Sequence, residues 1–231
     1  MIKANEELDS FVYVASHDLK APISNIESLL DLIRKKIENK LSEDEIHLFD
    51  LISTSIEKFN INLKDLGRII SVEKDLEEDY ILVDIKSVVE DVTADINEII
   101  VESKACIIED FKVEKIFYAQ KNLRSIIYNL LSNAIKYRSP ERDPEIYIST
   151  YEDKNDIVLK VKDNGLGLNM AQQEKMFSMF KRFHNHVEGS GVGLYLLKKI
   201  IDNTGGRIQL ESSEGIGSEF TVYFKNINGI A

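Results

Sequence analysis

The segment Ser16-His17-Asp18-Leu19-Lys20-Ala21-Pro22 sets an imidazole beside a carboxylate within a run whose apolar residues recur every three to four positions. If Val12 and Ala15 occupy positions a and d of that repeat, His17 falls at f, the position farthest from any partner helix. An imidazole there is available to solvent. Asp18 can hold it in one tautomer and favour the positive charge that builds as a ring nitrogen attacks an electrophile. Taken alone, His17 reads equally well as a solvated surface histidine.

Farther along, Asn129, Asn133 and Lys136 stand four and three apart in Asn129-Leu130-Leu131-Ser132-Asn133-Ala134-Ile135-Lys136-Tyr137, so a helix would carry them on one face. Amide oxygens on that face can complete an octahedral Mg²⁺ shell beside phosphate oxygens, and the ammonium of Lys136 can neutralise phosphate. The plainer reading is a polar face opposite Ile126, Ile127, Leu130 and Leu131. Val161-Lys162-Asp163-Asn164-Gly165-Leu166-Gly167 is a strand running into a turn with two glycines. The glycines permit close approach of a ligand to backbone, and Asp163 can accept a hydrogen bond from an exocyclic amine such as that of adenine. An ordinary Asn-Gly turn is the alternative. Gly189-Ser190-Gly191-Val192-Gly193-Leu194 opens a helical pattern at Leu194, Leu197, Ile200 and Ile201. Exposed N–H groups and the positive end of a helix dipole make a cradle for di- or triphosphate; a flexible hinge is the other possibility. The glycine spacing is not that of a dinucleotide-binding fold.

The elements that must hold these groups follow from periodicity. Leu8, Val12, Ala15, Leu19, Pro22, Ile26, Leu29 and Ile33 mark one seam of a long helix, and Phe49, Ile52, Ile56, Phe59, Leu63, Leu66 and Ile70 mark a second. Between them, Ser42 followed by Glu45 has the spacing of a capping box, which predicts a helical hairpin. Phe11, Ile23, Leu30 and Ile37 widen the first stripe beyond what one hairpin can cover, so two hairpins are expected to pair as a four-helix dimer. The acidic stretch Glu73–Asp79 ends this pattern, giving domains 1–78 and 79–231. In the second, helices are expected at Ile85–Ser103 and Lys121–Arg138. Strands are expected at Ala105–Asp110, Glu145–Tyr151, Asp156–Lys162, Arg207–Glu211 and Glu219–Phe224. Without regular βαβ spacing, this predicts an α+β fold: a mixed sheet with helices on one face.

Composition narrows the classes of function. With 43% hydrophobic residues the 231-residue chain can bury a substantial core. Its 29 Lys and Arg against 40 Asp and Glu give a formal charge of −11, which argues against nucleic acid or anionic lipid as a partner. No apolar stretch approaches the roughly 20 residues that span a bilayer, and no signal pattern opens the chain, so direct membrane insertion is not expected and a cytosolic location is. Cys106 sits in an apolar run and reads as a small buried hydrophobe. His184 and His186 alternate without a third ligand, a pattern that reads as solvated rather than metal-binding.

The motifs in this order resemble those of the sensor histidine kinases of two-component systems, over almost the whole chain. His17–Pro22 resembles the H box, Asn129–Tyr137 the N box, Asp163–Gly167 the first glycine box, Phe177–Phe180 the F box of an ATP lid, and Gly189–Leu194 the second glycine box. Gly205–Ile208 and Gly215–Phe220 match the closing strands. The resemblance implies an α/β sandwich of the Bergerat type that holds ATP, joined to a dimeric helical bundle carrying the phospho-acceptor. By position, Asn133 would ligate Mg²⁺ with Asn129 nearby, Lys136 would contact phosphate, and Tyr137 would lie near the nucleotide. Asp163 would take the adenine amino group, with Gly165 and Gly167 shaping its turn. Gly189, Gly191 and Gly193 would line the phosphates, Arg182 would reach the γ-phosphate, and Asp18 would act as base or orienter for His17.

The implied reaction is autophosphorylation of His17 by MgATP, then transfer to an aspartate on the receiver domain of a response regulator, in a homodimer that answers to an upstream sensor. Ala21 stands where many relatives carry Thr or Asn to position a hydrolytic water, which implies weak phosphatase activity toward that partner. The stretch from His184 to Gly189 makes the lid short. Either the chain belongs to a longer protein or its signal arrives through a partner. Two rivals are a nucleotide-binding dimeric scaffold without catalysis and a chaperone- or topoisomerase-like ATPase. The latter would need a water-activating glutamate on the Asn129 helix, where Ser125, Tyr128 and Asn129 stand instead.

Overall fold

The computed structural model describes residues 2–37, 42–74, 80–179, 181 and 191–225; within these, the side chains of 2–18, 20, 43, 58, 61, 62, 64–66 and 68–74 lie outside the description. The chain divides into two compact units, Met1–Asp75 and Leu76–Ala231.

The first unit is a helical hairpin of α1 (Ile2–Ile37) and α2 (Glu43–Lys74). The capping box forms as its spacing requires: the Glu45 amide donates to Ser42 Oγ at 3.4 Å, and Glu45 Oε2 accepts from the Ser42 amide at 2.8 Å and its hydroxyl at 2.7 Å. Those bonds favour the carboxylate and hold the Glu45 pKa below its usual value. Ile56 and Leu63 of α2 are buried, and Ile23, Leu30 and Ile37 of α1 are half-buried. Leu19, Ile26, Leu29 and Ile33 of the α1 seam stay exposed at 43–57%, and Ile52 and Phe59 of α2 are exposed at 45% and 39%. Among the described residues of α1, Ile23, Leu30 and Ile37 are thus better covered within one hairpin than Leu19, Ile26, Leu29 and Ile33. Pro22 lies inside α1; with no N–H of its own, it leaves the carbonyl four residues back, that of Asp18, without its helical donor.

The second unit is α+β. Its strands are β1 (Ile81–Asp84), β2 (Cys106–Phe111), β3 (Lys115–Tyr118), β4 (Glu145–Asp153), β5 (Asp156–Asp163), β6 (Arg207–Ser213) and β7 (Gly217–Lys225). Its helices are α3 (Ile85–Asp95), α4 (Asn97–Ser103), α5 (Gln120–Lys136), α6 (Met170–Gln173) and α7 (Gly193–Asn203). The main sheet runs β2-β4-β5-β7-β6, parallel only between β2 and β4, and β1 pairs antiparallel with β3. The mixed sheet expected from the sequence is present.

Register sets the core. Ile148 pairs with Val161 and Val161 with Phe220; Thr150 pairs with Leu159 and Leu159 with Val222. All of these are buried, against helices whose inner faces carry Val88, Val89, Ile126, Ile127, Leu130, Leu197 and Ile201. Counting back by twos from Asp163 gives Val161, Leu159 and Ile157, so the carboxylate occupies the last inward position of β5 and is paired with Ile146 on one side and Ser218 on the other. The opposite face is more polar, with Lys160 paired to Glu219 at 2.6 Å and the Arg207 guanidinium 3.7 Å from the Tyr223 ring centre.

Two expectations are corrected here. Ile85–Ser103 is not one helix: it breaks at Ile96, whose φ of −102° and ψ of 13° end α3 and start α4 between Asp95 and Asn97, both weak helix formers. Cys106 is exposed rather than buried, because β2 is an edge strand and Cys106 begins it. The sequence reading also passed over β1, β3 and α6.

Candidate functional site

The site is built where β5 ends. Asp163 Oδ1 accepts from the Gly165 amide at 2.8 Å and from the Ser218 amide at 3.2 Å; among the described residues no hydrogen bond reaches Oδ2. Burial raises the Asp163 pKa to about 6, opposed by these two amide bonds and by the charge of Arg142. A carboxylate with one oxygen anchored and the other unmatched, on the apolar face of a sheet, is a strong acceptor for a neutral donor such as an aromatic amine.

The glycines of the turn are required by space. A Cβ on Gly165 would lie 2.5 Å from the Tyr137 carbonyl oxygen and 2.8 Å from Asp163 Oδ1. Gly167 has φ +65°, and its Cβ would lie 1.9 Å from the Ser213 carbonyl oxygen. Gly167→Ala therefore combines left-handed strain with overpacking against fixed backbone and is expected to destabilise the unit by about 2–4 kcal/mol. Chemical denaturation read by circular dichroism checks this; a change under about 0.5 kcal/mol, the range of an innocuous surface substitution, contradicts it.

Helix α5 joins this turn to the start of α7. At its C-terminal end the Tyr137 carbonyl accepts from the Leu166 amide at 2.9 Å. One face of α5 is buried through Leu123, Ile126, Ile127, Leu130, Leu131 and Ala134. Asn129 and Asn133 are half-buried and Lys136 is exposed. Asn129 Nδ2 donates to the Ser125 carbonyl at 2.8 Å, and its Oδ1 lies 2.3 Å from where a Cβ on Gly193 would stand. Gly193 is the first residue of α7, Val192 offers no side-chain cap, and Gly191 takes φ +72°. The first-turn N–H groups of α7 therefore have no capping side chain at Val192 and carry the positive end of its dipole beside the Asn129 amide.

The structure thus groups Tyr137, Asp163, Gly165 and Gly167 at one turn, groups Asn129 with Gly193 at another point, and spans the two with α5, which carries Asn133 and Lys136. His17 and Asp18 belong to α1, and their side chains lie outside the description. Arg182, Gly189, Phe180, His184 and His186 lie outside the described residues altogether. Among the described residues no cluster of three His, Cys, Asp or Glu side chains forms a preassembled metal site. The sequence reading missed Ser218 as a partner of Asp163, although it lies in the Gly215–Phe220 motif, and it missed Arg142, whose polar loop carries no motif at all.

Comparison with known proteins bears on the family and the fold. Residues 118–227 match the family described as histidine kinase-, DNA gyrase B- and HSP90-like ATPase. The phytochrome-like protein Cph1 of Synechocystis sp. is 30% identical over 220 residues, covering 94% of this chain and 29% of that protein. The methanogenesis regulatory histidine kinase FilI of Methanothrix harundinacea is 30% identical over 218 residues, covering 93% of this chain and 24% of that protein. The chain therefore spans less than a third of these relatives. Among solved structures, full-length ShkA in complex with AMPPNP superposes with a TM-score of 0.73 at 18% identity, over 94% of this chain and 45% of that one. The Acinetobacter baumannii histidine kinase AdeS superposes with a TM-score of 0.66 at 24% identity, over 92% of this chain and 98% of that one. Both structures share the fold.

Proposed function

Since the chain belongs to the sensor histidine kinases, with an ATPase domain of that family in its second half, we propose that it transfers the γ-phosphoryl group of ATP to a ring nitrogen of its own His17. The phosphoryl group then passes to an aspartate on the receiver domain of a response regulator. The observation that supports the reading is the half-anchored carboxylate of Asp163 at the end of β5, whose Oδ1 takes two backbone amides while Oδ2 accepts no hydrogen bond among the described residues.

In this reading residues 79–231 hold the nucleotide. Asp163 accepts from the adenine amino group, Gly165 and Gly167 let the ring approach backbone, and Tyr137 lies beside it. Gly189, Gly191 and Gly193 offer phosphates the N–H groups at the start of α7, while Lys136 and Arg182 neutralise their charge. A neutral amide such as that of Asn133 suits Mg²⁺, which takes few protein ligands when nucleotide phosphates complete its shell. Asn133, with Asn129 nearby, would hold the ion, which supplies charge neutralisation on the phosphates. Residues 1–78 present His17, oriented by Asp18, which takes the imidazole proton as the new N–P bond forms and the bond from the γ-phosphorus to the ADP oxygen breaks. The exposed seam of Leu19, Ile26, Leu29 and Ile33 is the kind of stripe that a second hairpin covers, giving a four-helix homodimer. No helix among the described residues is long and apolar enough to cross a membrane, which is compatible with a cytosolic kinase core receiving its signal from an upstream sensor.

Incubation with γ-labelled ATP tests the reaction: acid-labile, base-stable label on the protein is expected. Nucleotide binding without label would mark a scaffold instead, and phosphate release without label an ATPase. Ala21 carries a further prediction: the chain should accelerate hydrolysis of its phosphorylated partner by less than about tenfold, a small fraction of what a positioned water achieves. Release of phosphate from the receiver, followed with and without the chain, checks this, and rapid dephosphorylation contradicts it.

A further inference from the structure

We propose that Arg142 is a positioning residue for nucleotide binding, clamping the Asn164–Gly165 turn to the Gly215–Ile216 turn and so fixing the two backbone amides that orient Asp163. This rests on the reading of Asp163 as the adenine contact. Arg142 lies in the loop between α5 and β4. Its Nε donates to the Asn164 carbonyl at 2.6 Å, and its Nη2 donates to the carbonyls of Gly165 at 2.8 Å and Gly215 at 2.7 Å, with Ile216 O at 3.3 Å. One planar cationic fork thus satisfies carbonyls from two chain segments some fifty residues apart, a geometry that a lysine ammonium on a flexible stem does not reproduce.

The two clamped segments are the two that serve Asp163. Gly165 gives its carbonyl to Arg142 and its amide to Asp163 Oδ1. Ser218, two residues beyond Ile216, gives the other amide. A residue held at its carbonyl has little freedom to slide at its amide, so the guanidinium sets the carboxylate from the far side of the backbone. The clamp itself is braced: Asn164 Nδ2 donates to the Asp143 carbonyl at 3.0 Å, and Asn164 Oδ1 accepts from the Glu145 amide at 3.0 Å. Arg142 is also the one charge among the described residues that acts on Asp163, and it favours the ionised form.

Calorimetric titration of the 231-residue chain with ADP, from about pH 5 to pH 8, separates positioning from simple structure when run on Arg142→Lys, Arg142→Gln and Arg142→Ala beside thermal unfolding. Arg142→Gln and Arg142→Ala are expected to weaken binding by about ten- to thirtyfold and to move the pH at which binding is lost upward, since both fork and charge are gone. Arg142→Lys keeps the charge, so its affinity falls while its pH midpoint stays in place. Parent-like affinity in Arg142→Gln overturns the proposal. So do equal losses in all three variants with an unmoved midpoint and a lowered melting temperature, the signature of a purely structural arginine. If the parent chain itself binds no adenine nucleotide, the adenine reading of Asp163 fails and the clamp's role fails with it; parent binding with an indifferent Arg142→Gln removes the clamp alone.

Discussion

Replacing His17 with glutamine is expected to remove covalent labelling from γ-labelled ATP altogether while leaving ADP affinity within about twofold of the parent. The two readouts separate because they draw on different parts of the chain. Every residue assigned to nucleotide contact belongs to the second compact unit, whereas His17 lies in α1 of the first. Glutamine keeps good helix propensity and a polar side chain, so α1 has no reason to fray. It offers no basic ring nitrogen, and an amide is too poor a nucleophile to replace one, so the expected loss is at least about a thousandfold. Label counted after alkaline quenching, together with calorimetry, decides the matter: label surviving in the variant moves the acceptor elsewhere, and lost ADP binding means that the substitution has damaged the fold.

Asp163→Asn is expected to weaken adenine nucleotide binding by at least about a hundredfold while stabilising the nucleotide-free chain at neutral pH. The amide oxygen can still accept from Gly165 and Ser218, which leaves the amide NH₂ where Oδ2 stood. A donor then faces the adenine amine, so a charge-assisted bond is lost and two buried donors collide, together costing about 3 kcal/mol or more. The stability effect has the opposite sign. Burial raises the Asp163 pKa from 3.8 to about 6, so the folded chain holds this proton more tightly than the unfolded chain does. Stability is therefore lost as pH rises through the window from about 4 to about 6, and the full cost, on the order of 2–3 kcal/mol, persists above it. Asparagine never ionises. The variant should melt several degrees higher than the parent at pH 8 and show no such gain near pH 4; a lower melting temperature at pH 8 contradicts the buried-carboxylate reading. In the parent, binding should fall toward tenfold per pH unit once Asp163 is protonated, below about pH 6.

What could be read in advance was what local periodicity encodes. The apolar face of α5 repeats so regularly that the expected span Lys121–Arg138 differs from Gln120–Lys136 by a residue or two, and Asp163 falls at a strand end because the apolar run of β5 gives way to a glycine turn. β1 and β3 are four residues each and owe their existence to pairing with one another and to aromatic contacts such as Tyr80 with Phe117, none of which a short apolar run announces. Ile96 looks like any helical isoleucine; only its surroundings make it a break. The site divides in the same way. Gly165 and Gly167 were visible as turn formers, but the Tyr137 and Ser213 carbonyls that exclude a Cβ come from distant segments. Arg142, in Arg138-Ser139-Pro140-Glu141-Arg142-Asp143, resembles any solvated loop charge until the carbonyls around it are seen.

Mass-spectrometric mapping of the phosphate after incubation with MgATP, worked up at alkaline pH, bears most directly on whether the nucleotide held at Asp163 serves His17. One phosphoryl group on the His17 imidazole, absent when AMPPNP replaces ATP and absent in Asp163→Asn, is the predicted result. Phosphate on Ser16, or on any side chain other than His17, would contradict it.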